Sequence, residues 1–374
     1  MLFPYKYIKH EVEKFQKYSD FLFLEVWCKA KKPFSSNLLI RMPELKLIYE
    51  RLHNEDSDGA IFFNSHIESI YDDFRHLQKQ DRDILKKWYK LNNDIDALCQ
   101  DKYLQPISYE KLIREYPTVG KKIKTFYTSL YGTGSPFNLL AFGDLGEIVS
   151  KHYFEFMKIN DEEICPFCGL ISMKGIHHSK REAYDHFMPK AKYPFTSINF
   201  KNLAPMCHDC NSSYKLSKEP LMHIDPIKKK VSNIRRRAFY PYSLKKWSFK
   251  TKIQLNNKDI VNLSSPDIII KFTSINSYSH LDQIESWNET FGIDERYKAR
   301  ILGKRGAKKW FQEFAELENL KKLEPDNEAT IQRFYEMKIK EIDADPLDNG
   351  NFIKKAFLEE CKNKGLFKTN VREQ

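Results

Sequence analysis

Residues 184–190 read YDHFMPK and residues 201–215 read KNLAPMCHDCNSSYK. The second stretch contains a Cys-x-x-Cys pair, Cys207 and Cys210, and the earlier stretch ICPFCGL contains another, Cys165 and Cys168. Two thiolates at this spacing reach one metal from a single turn, and two such turns complete a tetrahedral four-thiolate zinc site. A redox role for one pair would leave the other unexplained. With four ligands in place the zinc has no open position for water, so it holds the fold and leaves the chemistry to other groups. The 38 residues between the pairs exceed the span of many zinc ribbons. Something is inserted there, and the insertion carries Asp185 and His186.

Outward from this module the texture changes. Residues 1–160 hold long stretches of helical periodicity, such as SHIESIYDDFRHLQKQDRDILKKWYKLNNDIDALC, with few glycines inside them. Ser135-Pro136 reads as a helix start leading into FNLLAFGDLGEIVSKHYFEFM. The nearby glycines lack the Gly-Lys-Ser/Thr ending of a phosphate loop. Residues 161–225 read as short strands and turns, and residues 226–374 as two strands (KWSFKTKIQL, DIIIKFTS) followed by helices. The expected fold class is α+β: mainly helical N- and C-terminal regions around a small module with a structural zinc site. Cys28, Cys99 and Cys361 read as isolated buried thiols.

The polar residues of the insertion have a chemistry available to them. Phosphodiester hydrolysis needs a deprotonated water, a stabilised negative transition state and a neutralised leaving group, which a histidine base and one hard divalent cation supply. Asp185 and Asn211 are oxygen donors of the kind that suits Mg²⁺. CNSSYKLSK reads as a helix start, so Asn211 and Lys215 share a face, where the lysine can approach phosphate. Adjacent residues of a flat strand point to opposite faces, so Asp185 and His186 must sit at a strand end, and Pro189 favours one there. Taken singly, each has a bland alternative: a satisfied loop histidine, or a turn or cap asparagine.

The combination CPFC, YDHFMPK, KNLAPMCHDCN and Lys215 resembles the HNH endonuclease family, a ββα-metal fold that often carries flanking Cys-x-x-Cys pairs. The third position is Asn211 rather than His, a variant common in that family. The resemblance spans roughly 50 residues. It implies that Asp185 and Asn211 bind a catalytic Mg²⁺ or Mn²⁺, that His186 is the general base, and that Asn202 bonds across the loop to orient His186. It also implies that Cys165, Cys168, Cys207 and Cys210 bind structural Zn²⁺. DNA is the implied substrate, with RNA not excluded, and bacterial anti-phage defence or restriction the implied setting. YDHFMPKAKYPF and CNSSYK look especially like defence-system HNH proteins, some of which act beside an ATPase partner.

Charge agrees with a polyanionic partner. The chain carries a formal +11. Between residues 161 and 240 there are 14 Lys/Arg against 8 Asp/Glu, a surplus of six in about a fifth of the length. Lys228, Lys229, Lys230, Arg235, Arg236 and Arg237 are the expected phosphate-backbone contacts, or else a solvated linker. His177 and His178 read as an exposed turn and His208 as solvent-facing. The charged N-terminal stretch MLFPYKYIKHEVEKF lacks a signal-peptide core, and no run approaches about 18 apolar residues; the expected location is cytoplasmic. The competing class is a non-catalytic, zinc-stabilised nucleic-acid-binding or scaffold protein, which would need the cysteines but not the order Asp185, His186, Asn202, Asn211.

Overall fold

The computed structural model describes residues 1–224, 231–247, 249–274, 280–320 and 327–367. The chain divides into two compact units, a larger one of Pro4–Glu163 with Met173–Leu244, and a smaller one of Met1–Phe3, Ile164–Ser172 and Lys245–Gln374. Together they form a mainly helical α+β protein in which, among the described residues, every sheet is a two-stranded antiparallel ribbon. Among the described residues no helix is long and apolar enough to cross a membrane.

The larger unit begins with α1 (Lys14–Asp20), α2 (Pro43–His53), α3 (Asp58–His76), α4 (Lys79–Asn93), α5 (Ile95–Gln100), α6 (Tyr109–Glu115) and α7 (Pro117–Ser129), followed by α8 (Leu145–Ile159). The long periodic stretch resolves into α3, α4 and α5. α3 buries Phe63, Ile67, Ile70 and Phe74 at helical spacing, and Ser57 caps its start by accepting from the Ala60 N–H. Their packing is largely aromatic: Phe23 stacks on Tyr89 with centroids 4.3 Å apart, and Trp27 meets Phe126 edge-on. Ser135-Pro136 starts only a short 3-10 turn, Pro136–Asn138. The helix expected there begins nine residues further on at Leu145, because Gly143 takes φ 85° and the Asp144 side chain accepts from the Glu147 N–H.

Past α8 come β1 (Ala183–His186) and β2 (Leu203–Met206), paired antiparallel with Asp185 opposite Ala204 and His186 opposite Leu203. A π-type helical turn, Asp209–Lys215, follows at once. β3 (Met222–Ile224) pairs with β4 (Val231–Arg235). The sequence order strand, loop, strand, helical turn is therefore present.

In the smaller unit, β5 (Phe249–Leu255) pairs with β6 (Ile268–Ser274) along their whole lengths. The helices are α9 (Leu281–Phe291), α10 (Ile293–Leu302), α11 (Ala307–Leu320), α12 (Asn327–Ala344) and α13 (Asn351–Asn363). Gly292, at φ 63°, breaks α9 from α10, as expected of a left-handed helix end. Ile164–Ser172 folds with this unit: the Leu2 N–H donates to Pro166 O, Trp287 Nε1 to Phe167 O and the Tyr297 hydroxyl to Cys168 O.

His152 on α8 is 2% exposed, with its Nδ1 hydrogen-bonded to the Tyr184 hydroxyl. Burial, aided by the charge of His10, lowers its pKa to about 4. An unfolded histidine takes its proton near pH 6.5. Between pH 6.5 and 4 the unfolded chain thus binds a proton that the folded chain refuses, and stability falls as pH falls. Thermal midpoints measured across this window should decline with acid. His152→Phe should start lower, having lost the Tyr184 bond, but decline less steeply.

Candidate functional site

The segment CPFCG forms a tight knuckle. The Cys165 N–H donates to Ile171 O, and the N–H groups of Cys168 and Gly169 both donate to Cys165 O. A bridge between Ile164 and Ser172 closes the hairpin. Gly169 sits at φ 67°, where a Cβ would come within 2.1 Å of Leu2 Cδ1, so glycine is required. Cys207 follows β2 directly, and its carbonyl accepts from the Asn211 N–H as the π-type turn opens. All four cysteines are buried, and their sulfurs lie within 4.8 Å of one another. A zinc ion bonded to four sulfurs at about 2.3 Å separates them by about 3.8 Å, so the cluster can hold a structural zinc ion. Among the described residues it is the one such cluster of Cys, His, Asp or Glu. Metal analysis of purified protein should find about one tightly held zinc per chain. Cys207→Ser should lower that content and the thermal midpoint together.

His186 is the last residue of β1, at the strand end that the sequence required. It is 7% exposed, and its Nε2 lies 2.8 Å from Ser197 O. A carbonyl only accepts, so Nε2 carries the proton and Nδ1 keeps its lone pair. Burial pushes the His186 pKa down to about 3; the bond to Ser197 opposes this, and the charges of Lys190 and Lys215 reinforce it. The imidazole is therefore neutral at physiological pH, the protonation state of a base.

Asn202 helps to place Ser197, whose own Oγ donates to Tyr127 O. The Asn202 Oδ1 accepts from the Met188 N–H at 2.8 Å, its Nδ2 donates to Met188 O at 3.0 Å and to Thr196 O at 3.3 Å, and its carbonyl accepts from the Phe187 N–H. One buried side chain thus ties both arms of the loop between β1 and β2, and one of those arms carries the carbonyl that holds His186. Asn202→Ala leaves the Met188 N–H and two carbonyls buried without partners. Each such loss costs about 1–3 kcal/mol, so urea denaturation should show a loss of about 3 kcal/mol or more.

Asp185 is one residue before His186, with its side chain 13% exposed. Its Oδ2 lies 2.6 Å from Lys215 Nζ, which also donates to His186 O at 2.7 Å. Burial raises the Asp185 pKa while Lys215 lowers it; for Lys215, burial lowers the pKa and Asp185 raises it. Lys215 was expected to face phosphate. Instead it is 1% exposed and bridges the strand end and the π-type turn. Asn211 is half-buried at the start of that turn, four residues before Lys215. Asp185 and Asn211 each carry a hard oxygen donor, a kind that suits a hydrated Mg²⁺ or Mn²⁺, and the Asp185 carboxylate is paired with the Lys215 ammonium.

The expected backbone contacts fare differently. Arg235 ends β4 buried, and its guanidinium donates to the carbonyls of Leu98, Asp101, Leu104, Leu221 and Arg236. Five carbonyl bonds occupy the donors that a phosphate would need, so Arg235 serves the fold. Arg236 is 1% exposed, with Nε on Pro220 O, and Arg237 is half-buried. Lys228, Lys229 and Lys230 lie outside the described residues. His177, His178 and His208 are exposed, as expected.

Sequence reasoning missed Tyr131. It lies in the segment after α7, and its ring meets His186 edge to face, centroids 4.5 Å apart at 76°. Its hydroxyl donates to Tyr184 O on β1, and its own carbonyl accepts from Lys190 Nζ, which also lies 4.6 Å from the ring centroid. With Ser197 on one nitrogen and Tyr131 against the ring, the imidazole has little rotational freedom. Tyr131 and Tyr184 also line a mainly apolar cavity of about 370 Å³ beside β1. A lone tyrosine 55 residues from its histidine leaves no local signal.

These features define an α+β protein with a four-cysteine cluster and with a buried, neutral histidine at a strand end next to an aspartate. No family model matches the chain, and no solved structure does. The chain is similar to protein ea31 of Escherichia phage lambda, 25% identical over 175 residues, which are 47% of this chain and 50% of that protein. It is also similar to Septu protein PtuB of Bacillus thuringiensis, 31% identical over 133 residues, 33% of this chain and 49% of that protein. The chain spans about half the length of each of these relatives.

Proposed function

We propose that this protein is a metal-dependent endonuclease of HNH type that hydrolyses phosphodiester bonds in DNA. The observation that carries the reading is His186: neutral through burial, its Nε2–H fixed on Ser197 O, its Nδ1 lone pair available, and its loop locked by Asn202. In this reading Nδ1 takes the proton from the attacking water, and the Ser197 carbonyl stabilises the imidazolium that results. Asn202 and Tyr131 hold the ring against reorientation. Asp185 and Asn211 would hold one Mg²⁺ or Mn²⁺, which when bound supplies charge neutralisation at the scissile phosphate and the leaving oxygen. The cysteine cluster keeps the π-type turn that carries Asn211 next to the end of β2.

Similarity to Septu protein PtuB supports placing this chemistry in bacterial anti-phage defence, with an ATPase partner as one arrangement. The second reading, a zinc-stabilised nucleic-acid-binding or scaffold protein, draws on the Asp185–Lys215 ion pair, which satisfies Asp185 without any metal. Plasmid cleavage separates the two. Wild-type protein with Mg²⁺ or Mn²⁺ should nick or linearise plasmid, and His186→Ala, still folded and still loaded with zinc, should lose at least about 100-fold in rate, the scale of general-base catalysis. Equal cutting by both proteins would remove His186 as the base.

A further inference from the structure

α10 and α11 of the smaller unit are joined by four residues, Gly303-Lys304-Arg305-Gly306. The hairpin is tight: the Gly306 N–H donates to Gly303 O at 2.8 Å, and a Cβ on Gly306 would lie 2.0 Å from Ile301 O. Lys304 and Arg305 in the hairpin, and Lys308 and Lys309 in the first turn of α11, are all exposed. Among the described residues none of the four has a carboxylate within ion-pair distance, although lysines elsewhere in the same unit do. Lys250 pairs with Glu359, Lys298 with Asp294, and Lys355 with Asp343. The first turn of α11 has no acidic residue.

Four like charges within six residues repel one another, and the positive end of a helix dipole adds to that repulsion. The chain leaves this cost without a carboxylate here, while Lys250, Lys298 and Lys355 of the same unit are neutralised. Lys304, Lys308 and Lys309 also line a hollow of about 350 Å³ together with Gln312, Ile260 and Val261. A concave, cationic rim suits a chain of phosphates better than the flat face of a lipid bilayer.

We propose that this hairpin is a contact for the phosphodiester backbone of nucleic acid, separate from the residues around His186, binding without base readout. It takes the identity of its ligand from the endonuclease reading, but not the cleavage chemistry.

The test uses full-length His186→Ala protein, so that binding is measured without cutting. Fluorescent duplex DNA and duplex RNA are titrated across a range of salt concentrations, beside phosphatidylserine vesicles. Replacing Lys304, Lys308 and Lys309 together by Gln should weaken nucleic-acid binding at least 10-fold. It should also lower the log–log salt slope by about one per lysine, the change expected for each lost phosphate contact. Lys308→Gln alone, a mild exposed change, should lower the slope by about one and keep the thermal midpoint. The DNA and RNA arms decide which backbone is held.

An unchanged slope in both variants overturns the proposal, as does binding to vesicles but to neither duplex. Plasmid cleavage is run in parallel with variants that keep His186. Binding that depends on the lysines, with no cleavage by any variant, sinks the endonuclease reading and keeps this contact. Cleavage with slopes that ignore the lysines does the reverse.

Discussion

The loop that carries the Ser197 carbonyl to His186 is tied together by one side chain, that of Asn202. A loop of this length between two short strands has many conformations, and fixing each residue costs about 1–2 kcal/mol of backbone entropy. Asn202 sits immediately before β2 and ties back to Met188 and Thr196 through donor and acceptor atoms of one amide. Few side chains can do this, since the task requires an acceptor and two donors in one plane. Aspartate would lack the donors for the two carbonyls, and leucine of similar volume would orphan three backbone groups. The Ser197 carbonyl and hence the imidazole tautomer follow from this amide, so what holds the loop also sets the protonation pattern of the histidine.

How much of this was legible in the sequence depended on how local each interaction is. The cysteine pairs could be read because two thiolates three residues apart share a turn whatever the rest of the chain does. The strand end at His186 could be read because Pro189 and the alternation rule leave few options. β5 and β6 were legible for the same reason. Tyr131 was not, since its bond to Tyr184 and its contact with His186 span more than fifty residues. Nor did anything in ICPFCGL announce that Ile164–Ser172 would fold with Trp287 and Tyr297.

Two cationic expectations failed in an instructive way. Lys215 was placed on the helical face of Asn211 because the two lie four residues apart, yet the segment forms a π-type turn, in which the Leu216 N–H donates to Asn211 O, five residues back. That wider turn changes the direction of every side chain after Asn211. The run ending in Arg235 to Arg237 was expected to contact phosphate, or else to be a solvated linker, but β4 carries Arg235 into a nest of carbonyls. Composition signals charge, not burial. By contrast, Lys304, Arg305, Lys308 and Lys309 are unremarked in sequence, and the ion pairs of Lys250, Lys298 and Lys355 make visible that none of the four has a carboxylate partner among the described residues.

The buried Asp185–Lys215 pair bears on both readings of the module. Removing two charges from water costs several kcal/mol per ion, and their attraction repays that only with good geometry and further hydrogen bonds. Lys215 has both, at 2.6 Å from the carboxylate and 2.7 Å from His186 O. Yet an aliphatic pair of the same volume would pack here with no desolvation to overcome, so stability alone gives little reason to keep a carboxylate one residue from His186. A carboxylate retained at such cost is explained if a cation more highly charged than ammonium competes for it. A divalent ion gains more from the same oxygen than Lys215 does, in proportion to its charge. On this argument the ion pair that first favours a passive scaffold becomes a physical reason to expect a metal at Asp185.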